Sequence, residues 1–475
     1  MKKITLFGLL TLLLISGCKM GENYSGVTYT TPEAYRDLGS ADLSDTIQFK
    51  SDTLSLDSLS GLNWFELFED EVLDSLIKKG LENNQDLRIA AENIYQAQLA
   101  LQNQRVQIRP TLSYSGNVGR GNYGGFALPN EVSSYNGIGN LSWEIDFWGK
   151  FRRLTEAAQA RYLQTEEGYR AAKISLVETI ASTYFNYIEF QARLQISQRT
   201  LALRDSSLQI VKDRFDGGIV PEIDLNQAQI QRAIAASSIP LVERTIVQTE
   251  NLISILTGVH PQSAIIGKDL YEQDTVFNIP AGLPSELLKR RPDIVSAEQE
   301  VIATNAEIGV AIANRFPNIS LTGTLGVATT ALTGSTEAQT AWNISGGITG
   351  PLFFWNTLKR NVDIARSQNK QAILNYEATV LNALREVEDN LATIQTLKRE
   401  LIYRQDHVNA ALRAQELSKE RYDQGVTSYL EYLESQRQAF EAEQNYAGTK
   451  SDLLRAHAQL YKVLGGGWVF KEETQ

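Results

Sequence analysis

The chain repeats itself. Displaced by 207 positions, the sequence stays in step with itself almost without a gap: Asp86 falls on Asp293, Ala90 on Ala297, Pro110 on Pro317, Gly116 on Gly323, Gly119 on Gly326, Trp148 on Trp355, Arg153 on Arg360, Tyr169 on Tyr376 and Gly258 on Gly465. One offset held from residue 86 to residue 258 means two copies of one large unit, a pseudo-symmetric fold and not a short-period solenoid. Each unit must therefore use the same alternation of elements. The clearest echo is RFDGGIVPEIDLNQAQ at 214–229 against RYDQGVTSYLEYLESQ at 421–436.

Each half reads as helix, strand, strand, long helix, short break, helix. In the first, a helical pattern runs from about Asp70 to Ile108 and stops at Pro110, which cannot continue it. Beyond the proline the pattern switches to alternation. Leu112, Tyr114 and Val118 oppose Thr111, Ser113, Ser115 and Asn117; then Tyr135, Gly137, Gly139, Leu141, Trp143, Ile145 and Phe147 oppose Ser134, Asn136, Asn140, Ser142, Glu144 and Asp146. In the second half Ile319, Leu321, Gly323, Leu325 and Val327 share one face, and Trp342, Ile344, Ile348, Leu352 and Phe354 share another. The expected boundaries are a first repeat over 69–283 with strands 111–119 and 134–147 and a tip at 214–222, and a second over 284–475 with strands 318–328 and 341–354 and a tip at 421–428.

Alternation alone fits a water-soluble sheet with one buried face. Aromatic residues near the strand ends and a polar opposite face also fit a barrel in lipid, with an apolar outside and a wet inside. Four strands cannot close around a lumen. Open edges in hydrocarbon leave backbone groups unpaired, at several kcal/mol each, so a sheet in lipid must be completed by other copies of the chain. Eight strands from a dimer or twelve from a trimer would both close.

The proline-free stretch from about Lys150 to Phe215 carries Ile174, Val177, Ala181, Tyr184 and Ile188 in steps of three and four, and Val380, Leu384, Val387, Leu391, Ile394 and Leu401 repeat the rhythm. Such steps make a narrow coiled-coil seam. Some 65 helical residues extend roughly 95 to 100 Å. The duplicated element sits where each long helix turns back, with Gly218 and Gly425 supplying the reversal.

The N-terminus has a different purpose. Lys2 and Lys3 precede an apolar run from Ile4 to Ile15, small residues, and the only cysteine of the 475-residue chain, Cys18. Residues 1–17 read as a secretory signal peptide and 18–68 as an extension anchored by lipid on Cys18, the Leu-Ile-Ser-Gly-Cys ending resembling a bacterial lipobox. No internal run of 18 apolar residues exists, so no helix is expected to span a bilayer. With 45 basic against 56 acidic residues, and two of the lysines in the leader, the mature protein is acidic and a poor ligand for nucleic acid.

No enzyme signature appears. His260, His407 and His457 are far apart and none has a metal-ligand partner at helical spacing, and no phosphate-cradling loop ends in Lys-Ser or Lys-Thr, so no metal, cofactor or nucleotide hydrolysis is expected.

The runs WFELFEDEVLDSLIKKGLENNQDLRIA (64–90), LSWEIDFWGKFRR (141–153), LPSELLKRRPDIVSAEQEVIATNAEIGVAIANRFPNISLTGTLG (283–326) and the two tips carry a family resemblance, one that favours a gated passive duct over the alternative of an outer-membrane-anchored coiled-coil structural or adhesion lipoprotein without a pore. Over essentially the whole mature chain they resemble the TolC family of outer-membrane efflux ducts, nearest to its lipid-anchored members that serve resistance-nodulation-division pumps. The resemblance implies a mainly α fold with a membrane β-barrel: a homotrimer whose twelve-stranded barrel continues into a twelve-helix periplasmic α-barrel. It implies a periplasmic adaptor and an inner-membrane pump as partners. It also implies a periplasmic gate, matched here by Tyr422, Leu430, Glu431 and Glu434, with Asp224 as the first tip's counterpart of Glu431, and adaptor docking around Gly218 and Gly425. Six carboxylates around one axis should repel, raising some of their pKa values and making conductance pH-dependent in the mildly acidic range.

Overall fold

The computed structural model describes residues 19–27, 29–32, 68, 70–121, 132–274, 284–329 and 339–466. The signal peptide, Cys18 and most of the 18–68 extension lie outside the described residues. The elements are α1 (Glu71–Asn83), α2 (Gln85–Val106), β1 (Thr111–Gly121), β2 (Val132–Ile145), α3 (Lys150–Asp216), α4 (Glu222–Leu256), α5 (Pro284–Arg290), α6 (Pro292–Ala313), β3 (Asn318–Thr329), β4 (Gln339–Thr349), α7 (Thr357–Asp423) and α8 (Tyr429–Val463). The fold is mainly helical. It divides into two compact units, one of residues 1–29, 92–167 and 295–379, the other of 30–91, 168–294 and 380–475.

The first unit carries a four-stranded antiparallel sheet in the order β1-β2-β3-β4. Its register sorts side chains cleanly. Leu112 faces Leu141, Leu141 faces Gly323 and Gly323 faces Ile344, all on one side; Ser113, Asn140, Thr324 and Asn343 form the matching row on the other. A one-residue slip in any pair would mix the two faces, so the pattern itself specifies the register. Leu112, Tyr114, Val118, Leu325, Val327, Trp342, Ile344 and Ile348 are all exposed, leaving the apolar face bare in a single chain. Among the described residues no helix is long and apolar enough to cross a membrane.

Both hairpins end sooner than their alternation suggests. β2 stops at Ile145, not at 147, because the Asp146 carboxylate turns to accept the backbone N–H groups of Phe151 and Arg152, each at 3.0 Å, and so caps α3. β4 stops at Thr349 and not at 354, since Pro351 has no N–H to give to a ladder. Leu352 and Phe354 therefore do not lie on the sheet's apolar face, and Leu352 is 99% exposed. Next to the sheet, buried Arg153 donates from Nε to the Met20 carbonyl (2.8 Å) and from Nη2 to that of Gly21 (2.6 Å), pinning the segment that follows Cys18.

The second unit is built on α3. Ile174, Val177, Ala181, Tyr184 and Ile188 are buried, but so are Ile180, Phe185 and Tyr187 between them. Burial thus takes in far more of the helix than a narrow seam. The reason is that α1 and α8 both pack on it, through Leu73, Ile77, Leu454 and Ala458.

The expected single helix over 70–108 is two helices. Asn84 leaves the helical region (ψ 129°), its Oδ1 accepts the Leu87 N–H at 3.0 Å to start α2, and its Nδ2 donates to the Leu256 carbonyl at the end of α4, also at 3.0 Å. The same break recurs 207 positions later. Arg291 separates α5 from α6 and donates to the Val463 carbonyl at the end of α8 (3.1 Å). In both places a side chain supplies the donor that a terminal helix carbonyl lacks.

On the expectation that the bare face meets lipid, arginine at Leu141, Trp143 or Ile348 should cost about 2–4 kcal/mol near the bilayer midplane and cut the yield of assembled protein in the outer-membrane fraction. Arginine at Asn140 or Ser142, on the opposite face, should leave that yield close to native. Equal yields from both sets would contradict a lipid-facing sheet.

Candidate gate at the helical tips

Each long helix ends in the same hydrogen-bond pattern. At the first tip Gly218 N–H donates to the Phe215 carbonyl and Ile219 N–H to that of Arg214, both at 2.8 Å; at the second, Gly425 donates to Tyr422 (3.0 Å) and Val426 to Arg421 (2.9 Å). This Schellman closure needs a left-handed residue, and Gly218 and Gly425 sit at φ 72° and 73°. Nothing lies within 4 Å of a Cβ built on either glycine, so conformation and not space selects them. Pro221 and Ser428 then start the return helices α4 and α8.

The two tips are held together by aromatic packing. Tyr422, Tyr429 and Tyr432 are all buried, with ring centroids 5.5 to 6.5 Å apart, over Val211 and Ala228 of the first hairpin. Arg214 reaches across to them. Its guanidinium lies 4.3 Å from the Tyr422 ring centroid and donates to the Tyr422 carbonyl at 3.3 Å, a cation on an aromatic face and at a helix C-terminus at once. Burial pushes the Tyr422 and Tyr429 hydroxyls above the usual phenol range. Tyr422 is thus placed inside the tip and does not line a surface.

The carboxylates stand outside this core. Glu431 accepts from the Thr427 hydroxyl and pairs with Arg421 at 3.6 Å. Glu434 is gripped by Arg437 through Nη2 (2.6 Å) and Nε (3.0 Å), with Gln438 donating as well. The Arg437 hydrogen bonds hold the Glu434 carboxyl below the usual range, opposite in sign to the rise expected from repulsion between copies. Asp224 begins α4, half-buried, and its charge bears on Tyr422 and Tyr429.

Leu430 is 56% exposed, and three other apolar residues of the tips that sequence reasoning passed over, Ile223, Ile219 and Val426, are exposed as well. The 207 offset would have found them, since it sets Ile223 on Leu430 and Ile219 on Val426. Arg214 and Arg421 were missed for a different reason. An arginine on a solvated helix end carries no signal until its partner is seen: Tyr422 of the other hairpin for Arg214, and Glu431 across the turn of its own hairpin for Arg421.

Long helices folded back at paired tips, in one chain with an antiparallel sheet whose apolar face is bare, define an outer-membrane channel. A sequence profile of the outer membrane efflux protein family matches residues 76–259 and 283–466, and the chain belongs to that family. It is 35% identical over 415 residues to the solvent efflux pump outer membrane protein SrpC of Pseudomonas putida, across 85% of this chain and 87% of that one. It is 31% identical over 471 residues to the cation efflux system protein CusC of Escherichia coli, across 96% and 97%. The solved CmeC outer membrane channel of Campylobacter jejuni has the same fold, with a TM-score of 0.84, 25% identity and 96% of each chain covered. The protein is an outer-membrane efflux channel.

If Arg214 is the clasp between the tips, Arg214→Ala should speed amide hydrogen exchange at 421–426 by several-fold, as expected for an interaction of roughly 1 kcal/mol. Arg214→Lys, which keeps the charge but loses the planar contact, should fall between. Unchanged exchange in both variants would reject the clasp.

Proposed function

We propose that three copies of this chain form the outermost duct of a tripartite efflux system: a twelve-stranded barrel in the outer membrane continuing into a twelve-helix periplasmic barrel. The internal duplication at offset 207 gives that assembly pseudo-sixfold symmetry. The observation that carries the reading is the sheet, which has one bare apolar face, one polar face, and outer edges on β1 and β4 that no other strand covers among the described residues. A single copy with that sheet in hydrocarbon leaves two edges unpaired; a closed ring leaves none.

The duct is passive and not an enzyme, carries no cofactor, and takes its energy from an inner-membrane resistance-nodulation-division transporter through a periplasmic adaptor. The adaptor docks at the tips around Gly218 and Gly425, where Ile219, Ile223, Val426 and Leu430 offer apolar contact. Small molecules pass; solvents for SrpC and cations for CusC show how widely the cargo of relatives ranges. Lipid on Cys18 adds a second hold on the membrane beside the barrel. The position of Met20 and Gly21 beside Arg153, in the unit that carries the sheet, supports this. Cys18→Ser should lose labelling by a radioactive fatty acid while a large share of the protein that reaches the outer membrane stays there. Undiminished labelling would move the anchor elsewhere.

At the closed end, Glu431 and Glu434 from three copies make a ring of carboxylates, with Leu430 and Asp224 beside them. Confined like charges concentrate counter-ions, so the closed duct prefers cations. Because Arg437 lowers the Glu434 pKa, its charge is fully present at neutral pH and is lost only as pH falls through that lowered value. The reversal potential of purified protein in planar bilayers under a salt gradient tests this. Cation preference should survive at pH 5, and Arg437→Gln should move its loss to higher pH. Glu431→Gln with Glu434→Gln should abolish the preference at pH 7. An unchanged preference in the double variant rejects the acidic gate, and absence of conductance in the native protein rejects the duct.

A further inference from the structure

The two hairpins of the sheet obey the sequence repeat residue for residue. Thr111 pairs with Ser142, and Asn318 pairs with Thr349, each partner moved on by the same 207 positions. The remaining junction within the chain, β2 to β3, has a counterpart that one chain cannot make. Shifting β2 forward and β3 back by 207 turns Leu141 opposite Gly323 into Ile348 opposite Gly116, and Gly139 opposite Leu325 into Gly346 opposite Val118. Large side chains then face glycines across the new junction, as they do across the old. A shift of two residues loses this, since Ile348 would meet Tyr114 or Val118.

The loop after β4 shows the same incompleteness in its side chains. In the first half, Trp148 is docked: its Nε1 donates to the Pro317 carbonyl at 2.8 Å, and its ring stacks on Phe316 with centroids 4.5 Å apart. Its repeat-mate Trp355 is 77% exposed. Trp355 also holds φ at 44°, a left-handed conformation that a bulky side chain seldom takes and that Trp148 does not share. The repeat-mates of Pro317 and Phe316 are Pro110 and Arg109, both exposed just before β1. Arginine in place of phenylalanine suits a tryptophan ring, because a guanidinium stacks on indole.

We propose that Trp355 of each copy docks on Arg109 and Pro110 of the next. Its Nε1 donates to the Pro110 carbonyl and its ring covers the Arg109 guanidinium, and this contact sets the register in which β4 of one copy pairs with β1 of its neighbour. The inference rests on the trimeric reading and adds to it the residues and the register of the seam. The occupant is a second copy of this chain, since the surface that Trp355 fits is the repeat-mate of one the chain already presents to Trp148.

Thiol cross-linking of the full-length protein in detergent tests the register, helped by the chain having no cysteine other than Cys18. Ser115→Cys combined with Thr349→Cys places two thiols directly opposite across the predicted seam, where Cβ atoms are about 4.5–5.5 Å apart. Ser113→Cys or Asn117→Cys with Thr349→Cys places them on the diagonal, about 7–8 Å apart. A brief oxidation should give covalent trimer from the first pair at least several-fold faster than from either control. Light scattering on the same samples reports the particle mass. Trimers that cross-link best through a shifted pair overturn the register and leave the duct intact; particles that are not trimeric overturn both. For the docking contact, Trp355→Ala should lower the temperature at which the trimer dissociates, with Trp355→Phe between it and native. Arg109→Ala should lower it too, and combining it with Trp355→Ala should add little. A dissociation temperature unmoved by Trp355→Ala, or full additivity of the two alanines, overturns the contact.

Discussion

Backbone hydrogen bonding at the sheet's edges governs the rest of the molecule. A β-strand has donors and acceptors on both sides, and hydrocarbon offers a partner to neither. Four strands with a bare apolar face and two free edges are therefore not a finished object in an outer membrane. In the proposed trimer neighbouring copies finish it, with the apolar row at Leu112, Leu141 and Ile344 meeting lipid and the row at Ser113, Asn140 and Asn343 meeting water. The Asp146 cap and Pro351 end β2 and β4 soon after the apolar rows run out, so little backbone is left to satisfy beyond them.

At the tips the physical problem is the reverse. A gate must be stable when closed yet separable. In the proposed gate the two tips pack through one small aromatic cluster, Tyr422, Tyr429 and Tyr432, and the carboxylates stay on the outside in ion pairs with neighbours on the same hairpin. Exposed pairs of that kind contribute little to stability. In the proposed gate Glu431 and Glu434 serve ion selection, while Arg214 joins the two hairpins by packing on Tyr422.

Duplication has been put to unequal use. The helix break at Asn84 recurs at Arg291 with a different side chain and the same task, giving a hydrogen bond to the last turn of α4 or α8. Trp148 and Trp355 diverge the other way: identical residues, one docked on Pro317 and Phe316, the other exposed with Phe353 against its ring. In the proposed trimer, that contrast marks the seam between one copy and the next.

The long helices, the two glycine reversals and the sorting of strand faces were legible in the sequence because each depends on local periodicity or on a single backbone requirement. Alternation in TLSYSGNV, the three-four rhythm around Tyr184 and the left-handed need at Gly425 survive in one dimension. Membership of the family was legible too, in runs such as RRPD and FPNISLTG whose order is specific. What only the tertiary structure decided were the features set by distant partners. Asn84 breaks a helix that its neighbours would continue, because the Leu256 carbonyl needs a donor. Tyr422 is buried, because Arg214 and Tyr429 come from elsewhere in the chain to cover it. By contrast, the Glu434 carboxyl is held down and not up by Arg437 three residues along the same helix, at 2.6 Å, a pairing that local spacing alone carries. Local propensity acts along the chain, whereas burial and long-range hydrogen bonding act through space, and only a folded chain brings such partners within reach.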